Sequence, residues 1–291
     1  MANPPMEDRE PELVALPLPH GARLAINVQI AFEAWESPPV TNGIVNWGEY
    51  SGRLYGPRTG IWRLVEALED HGFRSCVHIS GLLVQRWPRI IEKLAKNGHE
   101  IVGHGWAQDQ AMHAMNQEQD RDAVRRTSEI VGQVTGERPV GWSSHASRRG
   151  EFTVQSLIEE GYLYTRDFRD ADLPYVVAES QGRRLLAMPR TDDINDLPIF
   201  KMNGLAPSVF VDYFRRSFDQ LYAESERHGP QVMTCVTHAY IMGRAWGTSA
   251  LIDCLKHVRA HDKVWICTGR QVAEHYLKHL PSAIQPGHTS P

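Results

Sequence analysis

The 291-residue sequence predicts an α/β fold whose largely parallel sheet closes into a barrel. Three observations predict it. Short apolar runs of strand length alternate along the chain with segments of helical period. Imidazoles, carboxylates and indoles collect just past the ends of those runs, where α/β folds gather their chemistry. Neither G-x-G-x-x-G nor a Walker A pattern occurs, so a nucleotide-binding doubly wound sheet loses its best support.

Residues 23–32 hold the first strand, and a Pro/Gly/Asn-containing excursion over 36–59 follows. Trp62, Leu64, Val65 and Leu68 then recur at helical spacing. A strand over 74–80 leads to a helix over 88–97, with Pro88 in its first turn and Gly98 as its stop. The strand at 101–104 precedes a polar helix over 116–134, closed by Gly136. Strands at 140–143, 161–165 and 184–188 surround a helix over 152–160. Helices over 207–227, 248–260 and 271–279 interleave with strands at 232–237 and 264–267. The count is about seven or eight strand–helix units without internal repeats. One domain over 21–280 is expected, between a disordered arm (1–20) and a flexible tail (281–291).

A net charge of −4 and a pI near 6.4 leave no footprint for nucleic acid or an anionic membrane. The longest apolar runs are too short to span a bilayer. The first twelve residues are proline-rich and acidic, which is not the pattern of a secretory signal. Cys76, Cys235, Cys254 and Cys267 form no C-x-x-C, so reduced packing cysteines in a cytoplasmic protein are expected. Loop-rich barrels with exposed aromatics often self-associate, which admits a homo-oligomer.

The strand ends carry the candidate site. They are Glu33; His104 with Trp106 and Gln108; Trp142 before Ser143-Ser144-His145; Asp167; Asn195-Asp196; and His238 with Arg244. On one barrel rim they would make a polar-floored, aromatic-walled pocket for a small molecule. His104 and His238 stand out because each ends an apolar strand with no structural need for imidazole. Trp106 and Trp142 read equally as core anchors or ligand walls, and Asp167 equally as a turn cap. Glu33 and His104 could supply two ligands to a divalent metal, but position 108 is glutamine, whose neutral amide binds zinc poorly. The absence of G-x-S-x-G gives a serine nucleophile no support.

The ordered motifs resemble the polysaccharide deacetylase (NodB homology) superfamily, above all its allantoinase-like, cyclic imide hydrolase-like branch. The resemblance runs from about Arg23 to Tyr276. It rests on Tyr55-Gly56-Pro57-Arg58-Thr59-Gly60-Ile61-Trp62-Arg63-Leu64, residues 99–109, Thr135-Gly136-Glu137-Arg138-Pro139-Val140-Gly141-Trp142, Asp170-Ala171-Asp172-Leu173-Pro174-Tyr175, Asn195-Asp196-Leu197-Pro198, and His238 followed by Gly243-Arg244. It implies a distorted (β/α) barrel of about seven parallel strands, NodB-type, and hydrolysis of a carbon–nitrogen amide bond.

The departures are specific. Phe32 stands where sugar deacetylases carry their general base, and Glu33 where they carry a metal ligand. Their His-x-x-x-His pair is reduced to His104 with Gln108, while His238 matches their terminal histidine, the general acid. The expected function is hydrolysis of a small cyclic amide, imide or ureide. Glu33 and His104 would position water or hold a weakly bound divalent ion (zinc or similar), and His238 would serve the leaving nitrogen. Arg58 or Arg244 would stabilise the oxyanion, and Trp106 and Trp142 would sandwich the ring. Gln108, Asp167, Asn195 and Asp196 would contact substrate. The alternatives are a metal-dependent N-deacetylase of an amino sugar and a catalytically silent binding barrel.

Overall fold

Side chains of β1 (Leu24–Ala31) alternate between two different environments, and the architecture follows from that alternation. Leu24, Ile26, Val28 and Ile30 face outward into a core shared with the helices. Asn27 faces inward, where the guanidinium of Arg166 donates to it at 2.7 Å. In the computed structural model, which describes residues 12–281, the sheet is nine-stranded and curled.

In chain order the remaining elements are β2 (Val40–Thr41), β3 (Ile44–Val45), α1 (Trp47–Tyr55), α2 (Ile61–Asp70), β4 (Cys76–Ile79), α3 (Gly81–Arg86) and α4 (Pro88–Lys96). Then come β5 (Glu100–Gly103), α5 (Gln117–Thr135), β6 (Gly141–Trp142), α6 (Thr153–Glu159), β7 (Tyr164–Thr165), β8 (Tyr175–Ser180) and β9 (Arg183–Ala187). The chain ends with α7 (Pro207–His228), β10 (Gln231–His238), α8 (Ala245–Arg259), β11 (Val264–Ile266) and α9 (Gly269–His279). The sheet order is β10-β1-β4-β5-β6-β7-β9-β8, with β11 also pairing β1. All pairs are parallel except β8 with β9.

The seam between β9 and β10 is bridged rather than zipped. Asn195 makes a single parallel bridge to Val236. Below it, the Pro189 carbonyl accepts from Arg166 Nη1 and Thr234 Oγ1, each at 3.0 Å. Arg166 is fully buried, with Pro189, Thr234 and Asn27 as acceptors. The barrel is therefore curled and nearly closed, as the expected distorted (β/α) barrel requires, and a polar spine rather than aliphatic layers fills its centre.

Three elements differ from the sequence reading. The excursion over 36–59 contains a β2–β3 hairpin and helix α1, capped by the Asn46 side chain accepting from the Glu49 N–H. The segment after residue 174 forms β8, antiparallel to β9 across a Gln181-Gly182 turn with both φ positive, the geometry of a tight hairpin. Within the stretch read as a loose arm, residues 1–11 lie outside the described residues. Leu16 and Leu18 are buried against Val272, Ala273 and Tyr276 of α9. Of the expected tail, only Pro281 is described. All four cysteines are buried and free. Among the described residues no helix is long and apolar enough to cross a membrane.

Removing the Arg166 guanidinium takes the charged donor from Asn27 Oδ1 and Thr234 Oγ1 and leaves the Pro189 carbonyl with Thr234 alone inside the barrel. Arg166→Met should therefore cost roughly 2–4 kcal/mol in urea unfolding. A stability within about 0.5 kcal/mol of the parent would contradict the spine's role.

Candidate active site

Glu33, two residues past β1, points into the barrel mouth and is 7% exposed. Phe32 lies on the opposite face, buried in the helix-side core. Alternation along the strand thus turns position 32 away from the pocket, so a general base is not available there. Glu33 Oε2 accepts from Arg53 Nη1 at 2.9 Å. Its Oε1 lies 3.7 Å from His104 Nε2, 3.8 Å from His145 Nε2 and 3.8 Å from His238 Nε2. Burial alone would raise the Glu33 pKa. The imidazoles of His238, His104 and His145 outweigh it and hold the carboxyl well below the usual range.

Two of the imidazoles are oriented from behind. His104 Nδ1 lies 2.5 Å from the Ser143 carbonyl, which can only accept, so Nδ1 carries the proton and Nε2 turns toward Glu33. His238 Nδ1 donates to Asp196 Oδ1 at 2.5 Å. Asp196 is fully buried, and its Oδ2 accepts the N–H groups of His238 and Met242. Burial opposes charge on His238, but the Asp196 and Glu33 carboxylates prevail and raise its pKa. His145 enters from a turn in which Ala146 and Ser147 both adopt positive φ, an uncommon conformation for non-glycine residues. Burial and the neighbouring His104, Arg53 and Arg148 push its pKa down to about 4 despite Glu33. Two imidazoles around one carboxylate are thus driven in opposite directions, the usual basis for separate acid and base roles.

The Tyr55–Leu64 motif braces this site from outside. A Cβ on Gly60 would fall 1.9 Å from the Ala239 carbonyl oxygen, and one on Gly243 would fall 2.4 Å from the Gly60 Cα. Only glycines allow the turn over Gly56–Gly60 to pack this closely on the loop after His238. Arg63 Nη1 donates to the Gly243 carbonyl at 2.8 Å and to the Tyr55 hydroxyl.

The sequence-derived candidates divide accordingly. Glu33, His104 and His238 come together as expected. Asp196 positions His238 rather than facing a ligand. Asp167 accepts from the Ser144 N–H and hydroxyl, which fixes the turn before His145. Asn195 accepts the Leu197 N–H within its own turn. Gln108 makes no hydrogen bond to Glu33 or His104, and both its side-chain polar atoms are buried without a partner among the described residues.

Neither expected tryptophan walls the pocket. Trp142 is fully buried, edge-on to Tyr162, and its Nε1 donates to Ser144. Trp106 packs with Ala107 and Ala123, with Arg126 stacked over it at 3.8 Å. The aromatic rings at the mouth are Trp35 and Tyr240, 4.6 and 3.9 Å from the Arg53 guanidinium. Arg58 is exposed and makes no contact with the cluster; Arg53, one and a half turns earlier, is the arginine that reaches it. Arg244 lies over the Tyr55 ring at 4.3 Å, beside Arg53, Lys201 and Tyr240 around a pocket of ≈ 390 Å³.

Arg53 is absent from the sequence-derived candidates, and His145 stands there at its strand end without a role. The Asn46–Glu49 capping pattern could have revealed α1 and hence Arg53. Nothing local in sequence announces the left-handed turn at Ala146-Ser147.

Glu33 Oε1 and His104 Nε2 could hold a divalent ion, with His145 Nε2 as a further donor. The His104 Nε2 is buried and has no hydrogen-bond partner. Spacings of 3.7–3.8 Å exceed a hydrogen bond and are slightly wider than the ~3.3 Å between ligands on one zinc centre. Arg53 already neutralises the other Glu33 oxygen, which weakens the pull on a dication.

Residues 55–164 match the family model described as polysaccharide deacetylase. Over that stretch, less than half of its length, the chain is similar to the polysaccharide deacetylase family. A solved structure from Pseudomonas aeruginosa PAO1, described as a probable polysaccharide deacetylase, is 27% identical with a TM-score of 0.84, covering 91% of this chain and 95% of that one. The structure of PuuE allantoinase is likewise 27% identical with a TM-score of 0.84, covering 91% of this chain and 94% of that one. Among curated relatives, a peptidoglycan deacetylase of Helicobacter pylori (strain ATCC 700392 / 26695) is 20% identical over 281 residues, 82% of this chain and 94% of its own. The curled, largely parallel sheet matches the NodB-type fold and agrees with the sequence-derived fold class.

In chelator-treated protein, histidine NMR titration should separate the two imidazoles, with His145 near 4 and His238 above 6.5. Asp196→Asn removes the largest attraction for the His238 proton and should lower its pKa. Coincident titrations, or no response to Asp196→Asn, would contradict the electrostatic assignment.

Proposed function

We propose that this protein hydrolyses a carbon–nitrogen bond in a small cyclic amide, imide or ureide. The observation that carries the reading is Arg53. Helix α1 lays this side chain across Glu33, between the rings of Trp35 and Tyr240, so the cluster lies under a roof rather than along an open groove. The adjoining ≈ 390 Å³ pocket suits a small ligand, and Arg53, Lys201 and Arg244 suit one rich in carbonyl oxygens. The 27% identity to PuuE allantoinase over 91% of the chain supports the same class of substrate.

In this reading the ring carbonyl lies toward Arg53, whose guanidinium stabilises the oxyanion as water adds. Water loses its proton to the Nε2 of His145, which burial keeps neutral. The tetrahedral carbon then expels the ring nitrogen, which takes the proton from His238 Nε2. Asp196 holds the resulting imidazole in place through Nδ1. The product is the ring-opened carboxylate, with one amide bond exchanged for one water. A divalent ion on Glu33 and His104, when bound, would add polarisation of the carbonyl and a more acidic water.

The second reading is N-deacetylation of an amino sugar, favoured by the names of the Pseudomonas and Helicobacter relatives. A panel of succinimide, hydantoin, dihydrouracil and N-acetylglucosamine oligomers, assayed with and without chelator, separates the readings. Ring opening by the parent, reduced roughly 10²–10⁴-fold in His238→Gln, is expected. Acetate release from the sugars, abolished by chelator and without ring opening, would replace the proposal with the second reading. Binding without turnover of any compound would identify a silent barrel.

A further inference from the structure

A second cluster of metal-binding side chains lies on the helices flanking β10 and shares no residue with the candidate active site. Asp219 is on α7, His257 is in the last turn of α8, and His261 follows just past its end. One ligand atom from each lies within 4.8 Å of the others, the only such His/Cys/Asp/Glu trio among the described residues. His257 Nε2 is 2.7 Å from Asp219 Oδ1, and His261 Nε2 is 3.9 Å from the same oxygen.

The orientation of the rings matters more than their proximity. His261 Nδ1 lies 2.8 Å from the His257 carbonyl, which can only accept, so this nitrogen carries the proton. In the tautomer that this contact selects, the Nε2 lone pair is aimed at the Asp219 carboxylate oxygen, so a cation between them would be shared by both. A backbone carbonyl fixing the distal nitrogen of an imidazole is the support that metal-ligating histidines commonly have. The rings are also held in place: Phe218 lies 5.3 Å from the His257 ring and 4.8 Å from that of His261, and Tyr222 lies 5.4 Å from His261. The two histidines, four residues apart, lie on one helix face with ring centroids 4.8 Å apart and planes inclined by 60°. Ligands around one zinc at ~2.0–2.1 Å stand about 3.3 Å apart, so binding requires the 2.7 Å contact to open and the 3.9 Å one to close by roughly half an ångström each.

We propose that Asp219, His257 and His261 form a divalent transition-metal site, with zinc as the borderline ion best matched to two imidazoles and a carboxylate. The side chains of all three remain accessible, at 54%, 19% and 29%, so solvent water completes the coordination. The site joins α7, which leads into β10, to α8, which follows the His238 loop. The metal is a staple on the helix pair that flanks the strand carrying His238, and it performs no chemistry. Binding displaces the His257 Nε2 proton and is therefore weakened at acid pH.

The test uses the full chain stripped of metal and titrated with zinc alone, read by calorimetry and thermal melting. At saturating zinc the melting temperature should rise by roughly 3–6 °C. The shift should be lost in His257→Gln, His261→Gln and the surface variant Asp219→Asn, and kept in His104→Ala, which separates it from any ion at the active site. Cobalt substitution should give a visible absorption band that His261→Gln removes. No zinc-dependent shift in the parent, or a shift that survives His261→Gln and disappears in His104→Ala, would overturn the proposal.

Discussion

A carboxylate buried at the end of the central strand imposes the constraint from which the rest of the site follows. An ionised carboxyl removed from water costs several kcal/mol unless charge and hydrogen bonds return to it. Glu33 receives both from Arg53 of α1, which donates a charged hydrogen bond. Around its other oxygen stand the imidazoles of His104 from the end of β5, His238 from the end of β10, and His145, a ring that burial keeps neutral, from the turn after β6. One anion is thus the meeting point of the 36–59 excursion and three strand ends. A second buried carboxylate, Asp196, repeats the solution on a smaller scale with one imidazole and two backbone N–H groups.

The barrel interior shows the same preference for satisfied polarity. Arg166 crosses the centre to reach Asn27, Thr234 and the Pro189 carbonyl, and this spans a seam that β-pairing closes at only one bridge. The outer face of β1 is wholly apolar and binds the helices. One strand therefore sorts its residues into a helix-binding face and a chemistry-bearing face. Phe32 and Glu33 fall on opposite sides of that division, and so the residue at the family's base position plays no part in the pocket.

Much of this was legible in sequence. Alternating strand and helix periods gave the parallel barrel, and His104 and His238 stood out because apolar strands ended in them. Glu33 followed from its place past β1, and the family from the order of several short motifs. What stayed hidden depended on contacts between distant segments. Arg58 and Arg53 are chemically equivalent in sequence, and only the placement of α1 decides that Arg53 reaches Glu33. Trp106 and Trp142 look like ligand walls until Gly81 and Gly103 are seen to make room for them in the core, where a Cβ would come within 2.4 and 2.7 Å of their rings. β8 escaped notice because Asp172-Leu173-Pro174 before it reads as the start of a loop.

The central claim is that Glu33 and Arg53 are energetically coupled and that this pair holds α1 over the site. A double-mutant cycle with Glu33→Gln, Arg53→Met and the double variant, measured by urea unfolding, tests it most directly. The predicted coupling is roughly 1–3 kcal/mol, because each single variant leaves a largely buried charge without its partner. Additivity within about 0.3 kcal/mol would contradict the account, since the two charges would then be independent and the roof over the cluster would need another cause.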